Sequence, residues 1–396
     1  MKFKYKKIKD IAVVYSGTTP STSKSEYWNG NIKWITPAEL QDGHNWYIYD
    51  TERKITDEAV RSKNLKMLKK GTILLTTRAP IGKVALVGEV MCTNQGFKNI
   101  ECNTDVVNPE FLYFWLLSKK EYLNSLGRGA TFKEISKTIV ENIQVPVPPL
   151  GIQGKIVEIL KQSLFLIDKR KAQIEVLDQL TQSVFLEMFG SIQGEKLPLS
   201  ELCEINPPKR EVADLKEDTI VSFIPMANVS ENGEIDLSET RNLGEVYKGF
   251  TYFKENDVLF AKITPCMENG KGAIAKNLTN EVGFGSTEFH VLRPKEEITS
   301  EWLYYLTTLP NFRQQAEKNM TGSAGQKRVP KQFFDKYKVN KPTIESQEEF
   351  KKIILKINSQ KEMLKKSLAN LETNFQSLMQ RAFKGELFTE EKVSNL

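Results

Sequence analysis

The feature that most constrains this chain is that it is written twice. Pro148-Pro-Leu-Gly-Ile-Gln153 returns as Pro342-Thr-Ile-Glu-Ser-Gln347, an offset of 194 residues at both ends. The same offset pairs Leu177 with Leu371, Gln182-Ser183 with Gln376-Ser377, and Phe189 with Phe383, without a gap. Upstream the offset drifts but the order of parts holds. Trp34-Ile35 matches Phe223-Ile224, and GTILLTTRAPIGK from Gly71 matches NDVLFAKITPCMENGK from Asn256, with Pro80 facing Pro265. Asn94-Gln95-Gly96-Phe97 sits where Ser286-Thr287-Glu288-Phe289 returns, and GRGATFKEI from Gly127 matches TGSAGQKRV from Thr321. A repeat of this length means two copies of one domain-sized unit, and 396 residues exceed what one core usually holds.

Each unit divides by pattern. Short β-like runs (Thr72 to Thr77, Val84 to Val90, Asp257 to Ala261, Phe289 to Leu292) alternate with Gly, Pro and Asn turns and precede an aromatic helix, Phe111-Leu-Tyr-Phe in one copy and Trp302-Leu-Tyr-Tyr in the other. The last forty residues of each unit read as one helix. Steps of four and three from Ile156 give Ile156, Leu160, Ser163, Ile167, Arg170, Ile174, Leu177, Thr181, Val184 and Met188. From Phe350 they give Phe350, Ile354, Ile357, Lys361, Leu364, Leu368, Leu371, Phe375, Leu378 and Ala382. This is a coiled-coil seam held over about five heptads. Prolines stand before each helix and Gly190 and Gly385 after it. Neither helix can bury its stripe alone, and tandem order favours an antiparallel pair. The expected fold is therefore a mixed α/β (α+β) class: two globular domains in tandem, each followed by a long helix, with the helices forming an antiparallel coiled coil and a pseudo-twofold repeat. The expected boundaries are 1–147 and 191–341 for the domains, and 148–190 and 342–396 for the helices and tail. Two heads on helices of about 38 residues, roughly 57 Å each, suit the reading of two separated sites on one duplex.

Composition excludes more than it selects. With 56 Lys+Arg against 50 Asp+Glu the net charge is +6, and the pI near 8.8 lies below the range that marks strongly basic nucleic-acid domains. Charge permits DNA binding without arguing for it. Cys92, Cys102, Cys203 and Cys266 are scattered, and His44 and His290 are the only histidines, so no zinc spacing exists and no metal site is expected. Unclustered cysteines fit a reducing cytoplasm. The apolar run near the start, Ile11 to Val14, is too short for a signal peptide, and no stretch reaches membrane-spanning length.

Three pairs of polar loops recur in the same order in both halves. The first is Thr76 to Lys83, offering Arg78 and Lys83, against Lys262 to Gly272, offering Lys262, Thr264, Glu268, Asn269 and Lys271. The second is Asn94, Gln95 and Lys98 against Ser286, Thr287 and Glu288. The third is Arg128, Thr131 and Lys133 against Gln326, Lys327 and Arg328. Arginine forks onto guanine or phosphate, asparagine and glutamine pair with adenine, glutamate accepts from cytosine, and lysine holds phosphate. Any one of these loops reads equally as a decorated surface turn; the repetition of all three is what points to a binding surface.

Catalytic motifs are missing. Gly270-Lys271 is no phosphate loop, since Gly272 replaces Ser/Thr. Asn206-Pro-Pro208 resembles the start of an amino-methyltransferase motif, but Lys209 stands where a stacking aromatic belongs and no cofactor turn accompanies it. It reads as a turn after Ile205. A divergent adenine methyltransferase acting on its own remains the alternative, as does a coiled-coil protein whose domains bind other proteins.

GTILLTTRAPIGKVALV with TNQGF, ITPAEL and VPVPPLGIQGKIVEIL resemble type I restriction–modification specificity subunits. So do FIPMANV, DVLFAKITPCMENGKGAIA, GFGSTEFHVLRP, GSAGQKRVP and SLMQRAFKGELF. The resemblance covers the whole chain in order. It implies two target-recognition domains, each reading half of a bipartite double-stranded DNA target, with the helices as the spacer. It implies two methyltransferase subunits and restriction–motor subunits as partners. S-adenosylmethionine, ATP and Mg2+ would be held by those partners, with no cofactor and no catalysis on this chain.

Overall fold

The computed structural model describes residues 2–40, 46–78, 80–128, 133–323 and 325–388. The chain divides into two compact units, residues 1–173 with 364–396, and residues 174–363. Each unit thus takes one recognition domain, one half of the first long helix and the opposite half of the second.

The first long helix runs Leu150–Phe189 and the second Ile344–Lys384. Proline precedes both, and Gly385 closes the second in a left-handed conformation, φ 77°, that a side chain would resist. Every one of the ten seam positions named on each helix is buried or half-buried. In the first unit Ile152, Ile156, Leu160 and Ile167 share a core with Phe375, Met379 and Phe383. In the second, Phe185 and Phe189 close edge-on against Phe350, ring centroids 5.4 and 5.3 Å apart. Early residues of one helix meet late residues of the other in both units, so the pairing is antiparallel.

The first recognition domain carries a five-stranded sheet in the order Ala12–Ser16, Phe97–Cys102, Ile73–Thr76, Val84–Val87, Tyr47–Ile48, and a three-stranded sheet, Arg53–Ile55, Trp28–Ile35, Met91–Thr93. The second carries Cys203–Ile205, Phe289–Pro294, Val258–Ala261, Gly272–Ile274, and a second sheet of Thr240–Asn242, Ile220–Ile224, Val282–Gly285, Thr251–Lys254. The two domains share one core topology, with Tyr47–Ile48 added in the first and Thr251–Lys254 in the second. Both have a parallel pair at the same place, Ile35 opposite Thr93 and Ile224 opposite Gly285, and the first domain adds a second where Tyr47–Ile48 lies beside Val84–Val87. In each, a terminal strand of the domain pairs with the strand that leads into the long helix: Lys4–Lys7 with Gln144–Val147, and Lys196–Pro198 with Lys338–Asn340.

The domain-to-helix joint is the repeated glutamine. Gln153 and Gln347 are both fully buried. The Gln153 carbonyl oxygen accepts from Asn108 N at 2.7 Å, and its amide donates to Val106 O and Pro148 O. The Gln347 carbonyl oxygen accepts from Thr299 N at 2.8 Å, and its amide donates to Glu297 O and Pro342 O. Asn108 and Thr299 are the N-caps of the aromatic helices Pro109–Leu117 and Ser300–Thr308. One amide in each copy therefore ties the cap of the aromatic helix to the root of the long helix, satisfying buried backbone groups that would otherwise cost 1–3 kcal/mol each.

Candidate nucleic-acid interface

Backbone hydrogen bonds set which positions of the two copies correspond. Thr77 N donates to Gly96 O at 2.8 Å, as Lys262 N does to Glu288 O at 2.9 Å. Ile135 N donates to Thr77 O at 2.9 Å, as Val329 N does to Lys262 O at 2.8 Å. Arg78 and Arg128 bridge to Glu134; Ile263 and Thr321 bridge to Arg328. The three polar loops of each half are thus knitted into one edge at the ends of the sheet's strands. The structure brings together, within each half, what the sequence separates by up to fifty residues and more.

The first loop of each half turns at a glycine, Gly82 with φ 87° and Gly270 with φ 88°, a backbone state open to glycine at little cost. The lysine that follows serves the loop itself. Lys83 Nζ donates to Leu40 O at 2.5 Å and Lys271 Nζ to Met226 O at 3.3 Å, so both ammonium groups pin the segment that leaves the parallel strand. Ile81 and Met267 anchor the loops in the core. In the second half Arg313, itself buried, braces the loop from below. It donates to Thr307 O at 2.6 Å, Met267 O at 3.0 Å and Gly270 O at 3.2 Å, and lies over the Phe260 ring. Burial brings its pKa down to about 10.

Other named residues are also engaged. Asn94 Oδ1 accepts from Gly96 N at 2.9 Å, Ser286 Oγ from Glu288 N at 3.2 Å, and Gln95 meets Thr19. Thr264 Oγ1 donates to Glu268 at 3.3 Å. Arg78 Nε lies 3.0 Å from Glu134, and Lys98, buried, 3.5 Å from the same carboxylate. Arg328 forks onto Glu288 with Nε to Oε2 2.9 Å and Nη2 to Oε1 2.7 Å. That pair holds the Glu288 carboxyl below its usual range, while burial pulls Lys262 down. Arg128, Lys133, Glu268, Asn269, Thr287, Gln326 and Lys327 stand exposed along the same edges. Thr131 lies outside the described residues.

Sequence reasoning missed Glu134 and Arg313. Glu134 had a signal: the repeat aligns it with Arg328, a charge reversal inside a matched segment. Arg313 had none. Behind the edge, His290 Nε2 donates to Val329 O at 2.8 Å, and its Nδ1 accepts from Asn206 Nδ2 at 3.1 Å. Asn206 Oδ1 accepts from Val291 N at 3.0 Å. Burial drives the ring's pKa down to about 4, so it is neutral. The Asn-Pro-Pro asparagine is a left-handed turn residue, φ 57°, whose amide is spent on this network.

The family described as type I restriction modification DNA specificity domain matches residues 1–177 and again residues 194–373. The chain belongs to that family. The match is double, as the repeat requires, and the methyltransferase alternative gains no support from it. The MjaIX specificity subunit of Methanocaldococcus jannaschii is 42% identical to this specificity-domain protein over 186 residues, 46% of this chain and 43% of that one. The chain thus spans less than half the length of that relative. The MjaVIII specificity subunit of the same organism is 23% identical over 98% of this chain and 93% of its own. A solved structure from work on complex assembly and conformational transition of a type I R-M system covers 98% of both chains, with TM-score 0.62 and 17% identity. It shares the fold. No helix among the described residues is long and apolar enough to cross a membrane.

Proposed function

We propose that this chain reads DNA sequence for a type I restriction–modification enzyme, each half reading one part of a bipartite double-stranded target. The observation that carries this is the repeated edge: in both specificity domains three segments are knitted together and carry exposed amides, hydroxyls and cations. Such an edge can combine phosphate contacts for position with base contacts for discrimination. The candidate contacts are the exposed residues Arg128, Lys133, Glu268, Asn269, Thr287, Gln326 and Lys327, with Arg78 and Arg328 beside them. Lys83 and Lys271 set the loop shape. Two methyltransferase subunits and the restriction–motor subunits are the partners of this reading. They carry the chemistry with S-adenosylmethionine, ATP and Mg2+, this chain contributes no catalytic group, and the assembly works in the cytoplasm.

The experiment is a domain exchange. Residues 1–147 are replaced by those of another family member and modified adenines are mapped across the host genome by long-read sequencing. One half of the methylated motif should change while the other half persists. An unchanged motif would overturn the proposal, and methyl transfer by the purified chain alone would revive the methyltransferase alternative.

A further inference from the structure

At the same place in each recognition edge lies a cluster of two cations and one carboxylate. In the first half these are Arg78, Lys98 and Glu134; in the second, Arg328, Lys262 and Glu288. The backbone correspondences above show that no charge is kept in place: the one position charged in both halves, Glu134 against Arg328, is reversed in sign. Arg78 corresponds to Ile263, Lys98 to His290, Glu134 to Arg328, Glu288 to Gly96, and Lys262 to Thr77. The cluster has been rebuilt with one position in common, its charge reversed, to the same composition and the same net charge of one. A pair that served packing alone would have no reason to keep that composition while changing the residue at every one of these positions. The carboxylates are also costly where they stand, because they neutralise an edge that must meet a polyanion.

Resting on the DNA-reading function proposed above, we propose that Glu134 and Glu288 are specificity-determining residues that hold the arginine of each half in an internal pair until the DNA's own acceptors replace the carboxylate. Both arginines are reachable from solvent, Arg78 47% and Arg328 42% exposed in their side chains. A passing phosphate offers one charged contact and must break a held arginine pair to gain it. A correctly placed guanine presents O6 and N7 to both arms of the fork, so exchange is favourable only in register. The carboxylates thus weaken non-cognate binding more than cognate binding, which is discrimination by an unfavourable alternative.

The test uses the full chain with Glu134→Gln, Glu288→Gln and the double substitution, binding a fluorescent duplex of arbitrary sequence across 50 to 200 mM salt. Wild-type binding to that duplex is the control. Each substitution should tighten non-cognate binding and steepen the salt slope by about 0.9, equivalent to a further 3.5-fold or so between those two salt concentrations per freed arginine. Adding Arg78→Ala to Glu134→Gln should abolish the gain, and Glu134→Asp should behave as wild type. Unchanged affinity and slope in folded variants, or weaker binding, would overturn the gating role while leaving the DNA-reading function intact. A wild-type chain that binds no duplex would overturn both.

Discussion

In the first half the tip of the recognition loop is braced by a neutral amide, Asn124 Nδ2 donating to Ile81 O at 3.2 Å. In the second half the corresponding loop sits on a buried guanidinium that holds three carbonyl oxygens at once. The two domains share their core strands, their glycine turn, their pinning lysine and their glutamine joint, yet they stiffen the edge by different chemistry. A shared fold fixes where the edge is; it leaves open how rigid each edge becomes. Buried Arg313 is held by backbone carbonyl dipoles and the face of Phe260.

The largest expected difference follows from that brace. Arg313→Ala removes the guanidinium that serves Thr307 O, Met267 O and Gly270 O from a buried site and should destabilise the second half by about 3 kcal/mol. Asn124→Ala should cost the first half about 1 kcal/mol. Lysine should not rescue position 313, since one ammonium cannot reproduce the planar fork. Hydrogen exchange resolved by segment would read this: protection lost across 262–271 in one variant, and only weakly across 77–83 in the other. Equal losses would break the comparison.

The second difference is pH. His290 takes the register position that Lys98 holds in the first half, and it is neutral because burial outweighs its bond to Val329 O, with Lys262 and Lys331 adding to the depression and Glu288 opposing it. The unfolded ring protonates near 6.5 and the folded ring near 4, so between those values the unfolded state binds more protons and stability rises with pH. The contribution is complete above about 6.5 and is lost progressively as pH falls through 4. Going from pH 7 to pH 5 should cost the second half about 2 kcal/mol, read as a drop in denaturant midpoint. His290→Asn should flatten that dependence, and a wild-type profile in the variant would show that other groups carry it.

The repeat, the seam and the strands were legible because each rests on local pattern: apolar periodicity, prolines before helices, glycines at turns. Ile73–Thr76 and Val258–Ala261 fall inside the runs read from sequence, and Asn206 is the turn expected after Ile205. The polar residues were legible as a set and not as individuals. Lys83 and Lys271 look like phosphate ligands in sequence because lysine at a loop tip usually is free, and only coordinates reveal the carbonyl each one meets. Glu134 reaches Arg78, and Arg313 reaches Met267 and Gly270, across more than forty residues of chain, on partners fixed by tertiary packing. Periodicity carries no information about such pairs.

The smallest effect concerns the seam. Lys361 occupies a seam position in the second helix, is 8% exposed, and pairs with Asp178. The 194-residue repeat aligns it with Ile167, 1% exposed in the first helix. One copy thus keeps a charge where the other keeps a hydrocarbon. Lys361→Ile imports the other copy's choice. The isoleucine recovers apolar burial, and Asp178, nearly half exposed at 45%, stays hydrated without its partner. Replacing a largely buried ion-pair member by a well-packed apolar residue is often neutral or stabilising, so the melting transition should move by the equivalent of about 1 kcal/mol or less, most plainly upward at high salt, where the native pair is screened. A loss above about 2 kcal/mol would mean that the pair fixes the helix register, and the two halves of the seam would then differ in kind as the two recognition edges do.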